Sequence, residues 1–184
     1  MKKLLIGIVV VVVLFALYAV GTYNSLVSLN VAANTQWQQV EVDYQRRFDL
    51  IPNLVESVKG VMKQEQAVFT ALAEARTKYS GATTVSEKAA AAGQVETSLG
   101  RLLAVVENYP ELKSSENVQT LMSQLEGTEN RISVERRRYN DAVQNYNLKV
   151  QRFPSSIVAS MFGFNEKTYF EATEGAEVAP QVQF

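Results

Sequence analysis

The sequence predicts an all-α protein, in which an N-terminal transmembrane helix is followed by an antiparallel three- to four-helix bundle with coiled-coil-like packing. Three observations lead to this prediction. A run of 17 apolar residues lies near the N-terminus. Apolar residues then recur every three or four positions along most of the chain, which is the period of a helix face. No stretch alternates between apolar and polar residues as a half-buried strand would.

The apolar run, Leu4–Val20, has the length of a short membrane-spanning helix. At the rise of an α-helix it measures roughly 26 Å. No charged residue occurs at the 37 positions from Leu4 to Val40. Lys2 and Lys3 are the only nearby positive charges, so the positive-inside rule places the N-terminus in the cytoplasm and the rest of the chain outside it. We therefore expect residues 1–21 to anchor the protein in a lipid bilayer.

A cleaved signal peptide is the alternative interpretation of this segment. Ala19 and Gly21 are small residues with the spacing of a cleavage site. The apolar run of 17 residues is longer than the apolar region of an ordinary signal peptide, and this favours the anchor. Both interpretations export the remainder of the chain.

The exported part begins with a long helical pattern. Its apolar positions run from Leu26 to Leu72, and we expect the helix to end near Tyr79. Pro52 interrupts this pattern, and we expect a kink or short break there because proline removes a backbone donor. The second pattern begins at Thr84, where Thr84 and Glu87 have the spacing of a capping box. It stops at Pro110, and the third pattern runs from Ser114 or Ser115 to Pro154.

A short apolar segment, Ile157–Phe164, follows the third helix and can form a fourth, small helix. It can cap the bundle, dip into a membrane surface or dock on a second protomer. Three long helices in up-down-up order would place it far from the anchor, which favours capping or protomer contact. The candidate interaction residues are Ile157, Met161, Phe162 and Phe164. Residues 171–184 lack periodicity and are predicted to be a disordered acidic tail.

The composition excludes several classes of function. The chain has no Cys and no His, so it lacks disulfides, thiolate nucleophiles and imidazole-based catalysis. The net charge of −1 argues against a nucleic-acid partner. We find no phosphate-binding loop, dinucleotide fingerprint or nucleophile elbow. Glu126 and Glu129 could bind a hard cation, but a solvated helix face is the preferred interpretation. We expect no catalytic residues and no cofactor.

Two charged residues fall on the apolar faces of the helices. Arg47 lies three residues after Tyr44, and Glu135 lies three residues after Ile132. Both are costly to bury without a partner. We expect either an ion pair between them that fixes helix register, or side chains that extend outward along the bundle edge. The pairs Tyr139-Asn140 and Tyr146-Asn147, seven residues apart, are interpreted as core, with a peptide-binding groove as the alternative.

The same residues resemble the LemA family of bacterial membrane proteins, across about residues 23–172. The most specific stretch is Arg46–Leu54, which contains Arg-Arg-Phe-Asp-Leu-Ile-Pro-Asn-Leu. Further matching stretches are Tyr23-Asn24, Trp37, Glu74–Arg76, Leu99–Leu102, Glu107–Leu112, Glu129–Ile132, Arg138–Val143, Tyr146-Asn147, Phe153-Pro154 and Phe162–Phe164.

This resemblance implies one membrane helix and an extracytoplasmic four-helical bundle, here residues 22–170. It also implies a location in the bacterial inner membrane, with the bulk of the chain in the periplasm. It implies no established activity and provides no catalytic residues to transfer. Family members often occur beside other membrane proteins, which implies an accessory role.

We therefore expect a non-enzymatic, membrane-tethered scaffold that acts by self-assembly or with an envelope membrane protein. A homo-oligomer follows from tethering, because copies held in two dimensions have a high effective concentration. The alternative is a bundle that senses a ligand or a metal, which requires a cavity between helices lined by Tyr and Arg.

Overall fold

The computed structural model describes residues 2–170, and within this range the chain forms helices and no strand. The helices are α1 (Lys2–Lys59), α2 (Gln66–Gly81), α3 (Val85–Glu107), α4 (Pro110–Lys113), α5 (Glu116–Gln151) and α6 (Ser155–Met161). The predicted all-α class is confirmed. The predicted acidic tail, residues 171–184, lies outside the described residues.

The chain divides into two compact units. The N-terminal unit comprises Met1–Gln39 and Arg137–Thr168. The bundle unit comprises Val40–Arg136 together with Tyr169 and Phe170, the last of the described residues. Helices α1 and α5 each supply residues to both units.

The bundle unit has four long helices, α1, α2, α3 and α5, which run alternately in opposite directions. Near the end of α1, Ser57 accepts a hydrogen bond of 3.0 Å from Asn117 at the start of α5. Tyr44, earlier in α1, accepts one from Arg136, later in α5. These two helices are therefore antiparallel. Helix α2 returns along α1, because the Tyr79 ring at its end lies 5.0 Å from the Tyr44 ring.

The first predicted helix is in fact two helices. Helix α1 continues through Pro52 to Lys59, and the chain reverses only at residues 60–65. The helix therefore ends after Lys59 and not at Pro52, so the prediction of a break at Pro52 was wrong. Met62, inside the turn, is fully buried, and its N–H bonds the carbonyl of Val58 at 2.9 Å. Apolar spacing thus persists through the reversal and conceals it in the sequence.

The remaining helix ends agree with their sequence signals. Thr84 caps α3: its hydroxyl accepts from the N–H of Glu87, whose carboxylate accepts from the N–H of Thr84. The predicted capping box is confirmed. Helix α5 begins directly after Ser115 and ends three residues before Pro154. Coiled-coil packing between these helices stays a prediction.

The core of the bundle unit consists mostly of the predicted apolar positions, with Leu54 buried where Val55 was expected. Its buried members come from all four long helices and include Val40, Tyr44, Phe48, Ile51, Leu54, Val58, Leu72, Val95, Leu99, Leu102, Val106, Leu121, Leu125 and Ile132. A fully buried Val, Leu or Ile side chain contributes about 1.5–3 kcal/mol. Because the chain has no Cys, this burial must stabilise the fold without disulfides.

The N-terminal unit places α6 against the part of α1 that follows the apolar run. Val158 and Ala159 are buried in one cluster with Leu26. The Phe162 ring lies 4.9 Å from the Tyr23 ring. The predicted position of this segment, far from the anchor, was wrong. The bundle has four long helices and not three, so the last of them runs back antiparallel to α1.

The tyrosine–asparagine repeat on α5 holds the chain after α6. The hydroxyls of Tyr139 and Tyr146 each donate to a backbone carbonyl, of Thr168 and Asn165, at 2.9 Å. Asn147 is buried, and its amide both donates to the carbonyl of Lys167 and accepts from the N–H of that residue. These side chains therefore bind a peptide segment, but the segment belongs to the same chain.

Candidate functional site

A polar cluster lies inside the bundle unit. Its members come from three helices: Tyr44 and Arg47 from α1, Glu96 from α3, and Thr128, Glu129 and Arg136 from α5. Asp43 on α1 is also buried, but among the residues that the structure describes Arg47 is the least exposed charged side chain, so the cluster carries charge deepest into the core.

Arg47 is the centre of this cluster and is 1% exposed. Its guanidinium contacts the Glu129 carboxylate and lies 3.8 Å from the Glu96 carboxylate. Its Nε donates to the hydroxyl of Thr128 at 3.3 Å. That hydroxyl in turn donates to the carbonyl of Leu125 at 2.7 Å. A guanidinium buried to this extent requires opposite charge and hydrogen-bond acceptors. These contacts provide the charge and bond Nε and Nη2, whereas Nη1 makes no hydrogen bond within the described part of the chain.

A second cation completes the cluster. Arg136 donates to the Glu96 carboxylate and to the hydroxyl of Tyr44. Tyr44 donates to the same Glu96 carboxylate at 3.1 Å. Arg136 also lies over two rings, at 5.3 Å from the centre of Tyr44 and 4.5 Å from that of Phe170. Two arginines and two glutamates thus balance each other in charge, and they join α1, α3 and α5.

Burial perturbs the acid and base strengths of the cluster. Burial, together with the charge of Glu129, raises the pKa of Glu96 to about 7, against the opposing effect of Arg47. Burial lowers the pKa of Arg136 to about 10. The Glu96 carboxyl group therefore titrates near neutral pH.

A groove of about 650 Å³ adjoins the cluster between α3 and α5. Arg47, Glu96 and Glu129 line one part of it, and Glu107 and Lys113 line another. The wall between them is mostly apolar and includes Leu99, Leu103, Val106, Met122 and Leu125. Eleven residues separate Glu96 from Glu107, so the groove extends roughly 16 Å along α3. Its volume is in the range of small-molecule sites.

The groove has limited catalytic resources. A carboxyl group with a pKa near 7 can transfer protons. Glu129, the second carboxylate, contacts Arg47 and is not placed beside an activated nucleophile. Among residues 2–170, no group of three or more acidic side chains gathers as a metal site would require. Binding is therefore the chemistry that these residues support best.

The structure places Arg47 where the sequence indicated, in the core between α1 and α5. The acid that contacts it is Glu129, six residues before the predicted partner Glu135 on the same helix. Glu135 is half-buried. Glu126, proposed as a cation ligand with Glu129, lies exposed at the groove.

Sequence reasoning missed Glu96 and Arg136. Glu96 directly follows the apolar position Val95, so helical spacing alone assigns it to the edge of the buried face. Arg136 opens a run of three arginines, and the run conceals which of them turns inward. The sequence identified Tyr44 as a core residue. Its position three residues before Arg47 is the one signal in the sequence that these two side chains lie beside each other.

Comparisons with known proteins agree on one family. A family model described as the LemA family matches residues 36–184. Magnetosome proteins MamQ 1 and MamQ 2 of Paramagnetospirillum magneticum are each 28% identical over 200 residues, covering 93% of this chain and 74% of theirs. Magnetosome protein MamQ of Magnetospirillum gryphiswaldense is 25% identical over 189 residues, covering 87% and 70% respectively.

The contact between Arg47 and Glu129 predicts energetic coupling. In a double-mutant cycle with Arg47→Met and Glu129→Gln, we expect a coupling energy of about 1–3 kcal/mol by urea unfolding. Arg47→Met alone should cost about 1–3 kcal/mol, since Glu129 loses its ion pair and Glu96 keeps only Arg136 as a cation. Glu126→Gln, three residues earlier on the same helix, is the control for the second site. If the losses in free energy of unfolding for Arg47→Met and Glu129→Gln are purely additive in the double variant, the contact is refuted.

The raised pKa of Glu96 predicts a pH-dependent stability. Between its ordinary pKa of 4.5 and its folded pKa of about 7, the folded protein keeps a proton that the unfolded chain has released. The free energy of unfolding should therefore fall as pH rises through this window, by on the order of 2 kcal/mol, and then level off.

Urea unfolding of the wild-type protein and of Glu96→Gln, at about pH 5 and about pH 8, measures this effect. The free energy of unfolding of Glu96→Gln should not fall between these two pH values. That of Glu107→Gln, which is exposed at the groove, should fall as in the wild-type protein. Stability that rises through the window would contradict the prediction, because it would show that the two arginines hold Glu96 ionised in the folded state.

Proposed function

The chain belongs to the LemA family, and we propose that it is a non-enzymatic scaffold anchored in the bacterial inner membrane. In this proposal α1 crosses the membrane once, with its N-terminus in the cytoplasm and the bundle unit in the periplasm. The scaffold acts by assembling with itself or with an envelope membrane protein. The observation that carries the proposal is the continuity of α1, which supplies both the apolar run and the first helix of the bundle.

The exposure of the apolar run supports anchoring. In α1, an 18-residue window has a mean hydropathy of 3.0 and is 0% buried against the rest of the protein. Burying such a surface requires lipid or another protein. An uninterrupted helix is the form that a chain must adopt in lipid, because all of its backbone groups are then paired internally.

The helical conformation around Gly21 favours an anchor over a cleaved signal peptide. Helix α1 passes through this position without interruption. Thr22 directly after it is buried, and Ala19 before it packs against the cluster that contains Leu26. Removing residues 1–21 would therefore remove part of the packing of the N-terminal unit.

The use of the charged groups supports a scaffold rather than an enzyme. The cations and anions of the polar cluster contact one another, and so they stabilise helix register. The relatives are named for magnetosomes and not for a reaction. Tethering in a plane raises effective concentration, so weak lateral contacts suffice for assembly.

Photocrosslinking in cells tests the scaffold role. Val42 and Val134 are apolar residues of the bundle unit that are 47% and 44% exposed. A photoreactive amino acid at either position should yield dimers of this chain or adducts with an envelope membrane protein. The same amino acid at Glu74 or Lys113, both exposed and charged, is the matched control. Full-length protein that remains monomeric and uncrosslinked at every position would refute the proposal.

The groove favours a second candidate function, the binding of an apolar ligand by the bundle. Arg47 lines the groove as the ligand-sensing hypothesis expected, but the other described residues that line it are mostly apolar or acidic and include no Tyr. Gly100 lines the groove, and a Cβ atom there would meet no atom within 4 Å. Gly100→Trp should therefore fill the groove without displacing the core.

Calorimetric titration with an uncharged aromatic probe, 2-naphthol, in matched detergent tests this candidate. We expect the full-length wild-type protein in detergent to bind the probe and Gly100→Trp to bind it at least tenfold more weakly, a loss of about 1.4 kcal/mol. Thr97→Trp, one turn earlier and outside the groove, is the control. Equal binding by all three proteins would refute a ligand site in the groove.

A further inference from the structure

Four large apolar side chains form an exposed patch around α6. Phe153, Ile157, Met161 and Phe162 are 82%, 42%, 66% and 54% exposed. We call them the juxtamembrane patch. Single exposed apolar residues are ordinary, but several within ten positions of one short segment indicate a surface that is covered by something else.

The patch belongs to an ordered segment of the N-terminal unit. Helix α6 ends in a Schellman motif, in which Phe164 N–H bonds the carbonyl of Ala159 and Gly163 N–H bonds that of Ser160, at 2.9 and 3.4 Å. Gly163 has a φ of 73°, which a side chain would make strained. The opposite face of α6, with Val158, is buried. Ile157 and Met161 thus form the outward face of an amphipathic helix, and Phe153 and Phe162 flank its two ends.

The position of α6 identifies what covers this face. Ala19, in the last turn of the apolar run, packs against the cluster that contains Val158 and Ala159. The Tyr23 ring, one turn later, contacts the rings of Phe162 and Phe164 at 4.9 and 5.6 Å. The patch is therefore continuous with the apolar surface of α1 at the end where that surface stops.

The charges nearby fit a membrane surface. Lys149 and Arg152 are the only charged residues between positions 142 and 165. No charged residue occurs from Leu4 to Val40 in the adjoining helix. The segment therefore carries two positive charges and no negative charge. Basic residues beside an apolar helix face are typical of helices that lie in the interface of a bilayer with anionic lipids.

We propose that the juxtamembrane patch inserts into the interfacial region of the outer leaflet, as a second lipid contact beside the helix that crosses the membrane. This inference rests on the proposed anchoring of α1. Phenylalanine and methionine enter the acyl boundary, Tyr23 lies at the level of the head groups, and Lys149 and Arg152 face the lipid phosphates. Two contacts fix the orientation of the N-terminal unit to the membrane, which one helix cannot do.

The absence of native cysteine allows a direct test on the full-length protein. Single-cysteine variants Met161→Cys and Ile157→Cys are labelled with the fluorophore NBD. They are reconstituted in vesicles of phosphatidylethanolamine and phosphatidylglycerol that contain nitroxide-labelled lipids. Both positions are exposed, so the substitutions leave the core intact. Val11→Cys reports the anchor, and Thr83→Cys, exposed in the bundle unit, is the negative control.

The expected result is strong quenching at positions 157 and 161 by nitroxides near the head groups. Position 11 should be quenched by nitroxides deep in the bilayer, and position 83 by neither. Quenching at position 11 alone would overturn the inference and leave the anchor intact. Absence of quenching at position 11 would overturn the anchor itself. If the labelled Met161→Cys variant shows no lipid quenching and the unlabelled variant forms disulfide-linked dimers under oxidation by copper phenanthroline, a second copy covers the patch and the inference is overturned.

Discussion

The rest of the structure depends on α1, a single helix whose two parts have different surroundings. The first part of α1 is apolar on every side, and no protein surface covers it. Its later part is apolar on one face only, where Leu26, Val40 and Val58 are fully buried. The change from all-round to one-sided hydrophobicity marks where lipid ends and protein packing begins. The helix has no break at this point, so the apolar run continues directly into the packed part of α1.

The number of helices in the bundle unit decides which functional interpretation is available. With three long helices, the apolar segment after the last one would lie far from the anchor. With four, α5 runs antiparallel to α1 and leads directly to α6. The segment then packs on residues 19–26, and its exposed face becomes a membrane-facing surface instead of a distal cap. A single turn at residues 60–65 therefore changes the proposed role of residues more than 90 positions later.

The sequence predicted the helical class, the capping box of α3 and the limits of α5, because each depends on local spacing. It placed Arg47 on the apolar face of its helix but left open whether the side chain is buried or extends outward. It did not reveal the turn after Lys59, because Met62 fills the core from within that turn. Proline is the stronger sequence signal, yet α1 accommodates Pro52 in an exposed position. The partners of Arg47 also escaped prediction. Several acids have suitable helical spacing, and only the relative rotation of α3 and α5 selects Glu96 and Glu129.

The central claim is that α1 remains uncut and holds the protein in the membrane. The intact mass of protein extracted from membranes after an alkaline wash tests it most directly. We predict the full-length mass of 20.5 kDa, with all of the protein resisting the wash. A mass that lacks residues 1–21, in protein that the wash releases, would contradict the account.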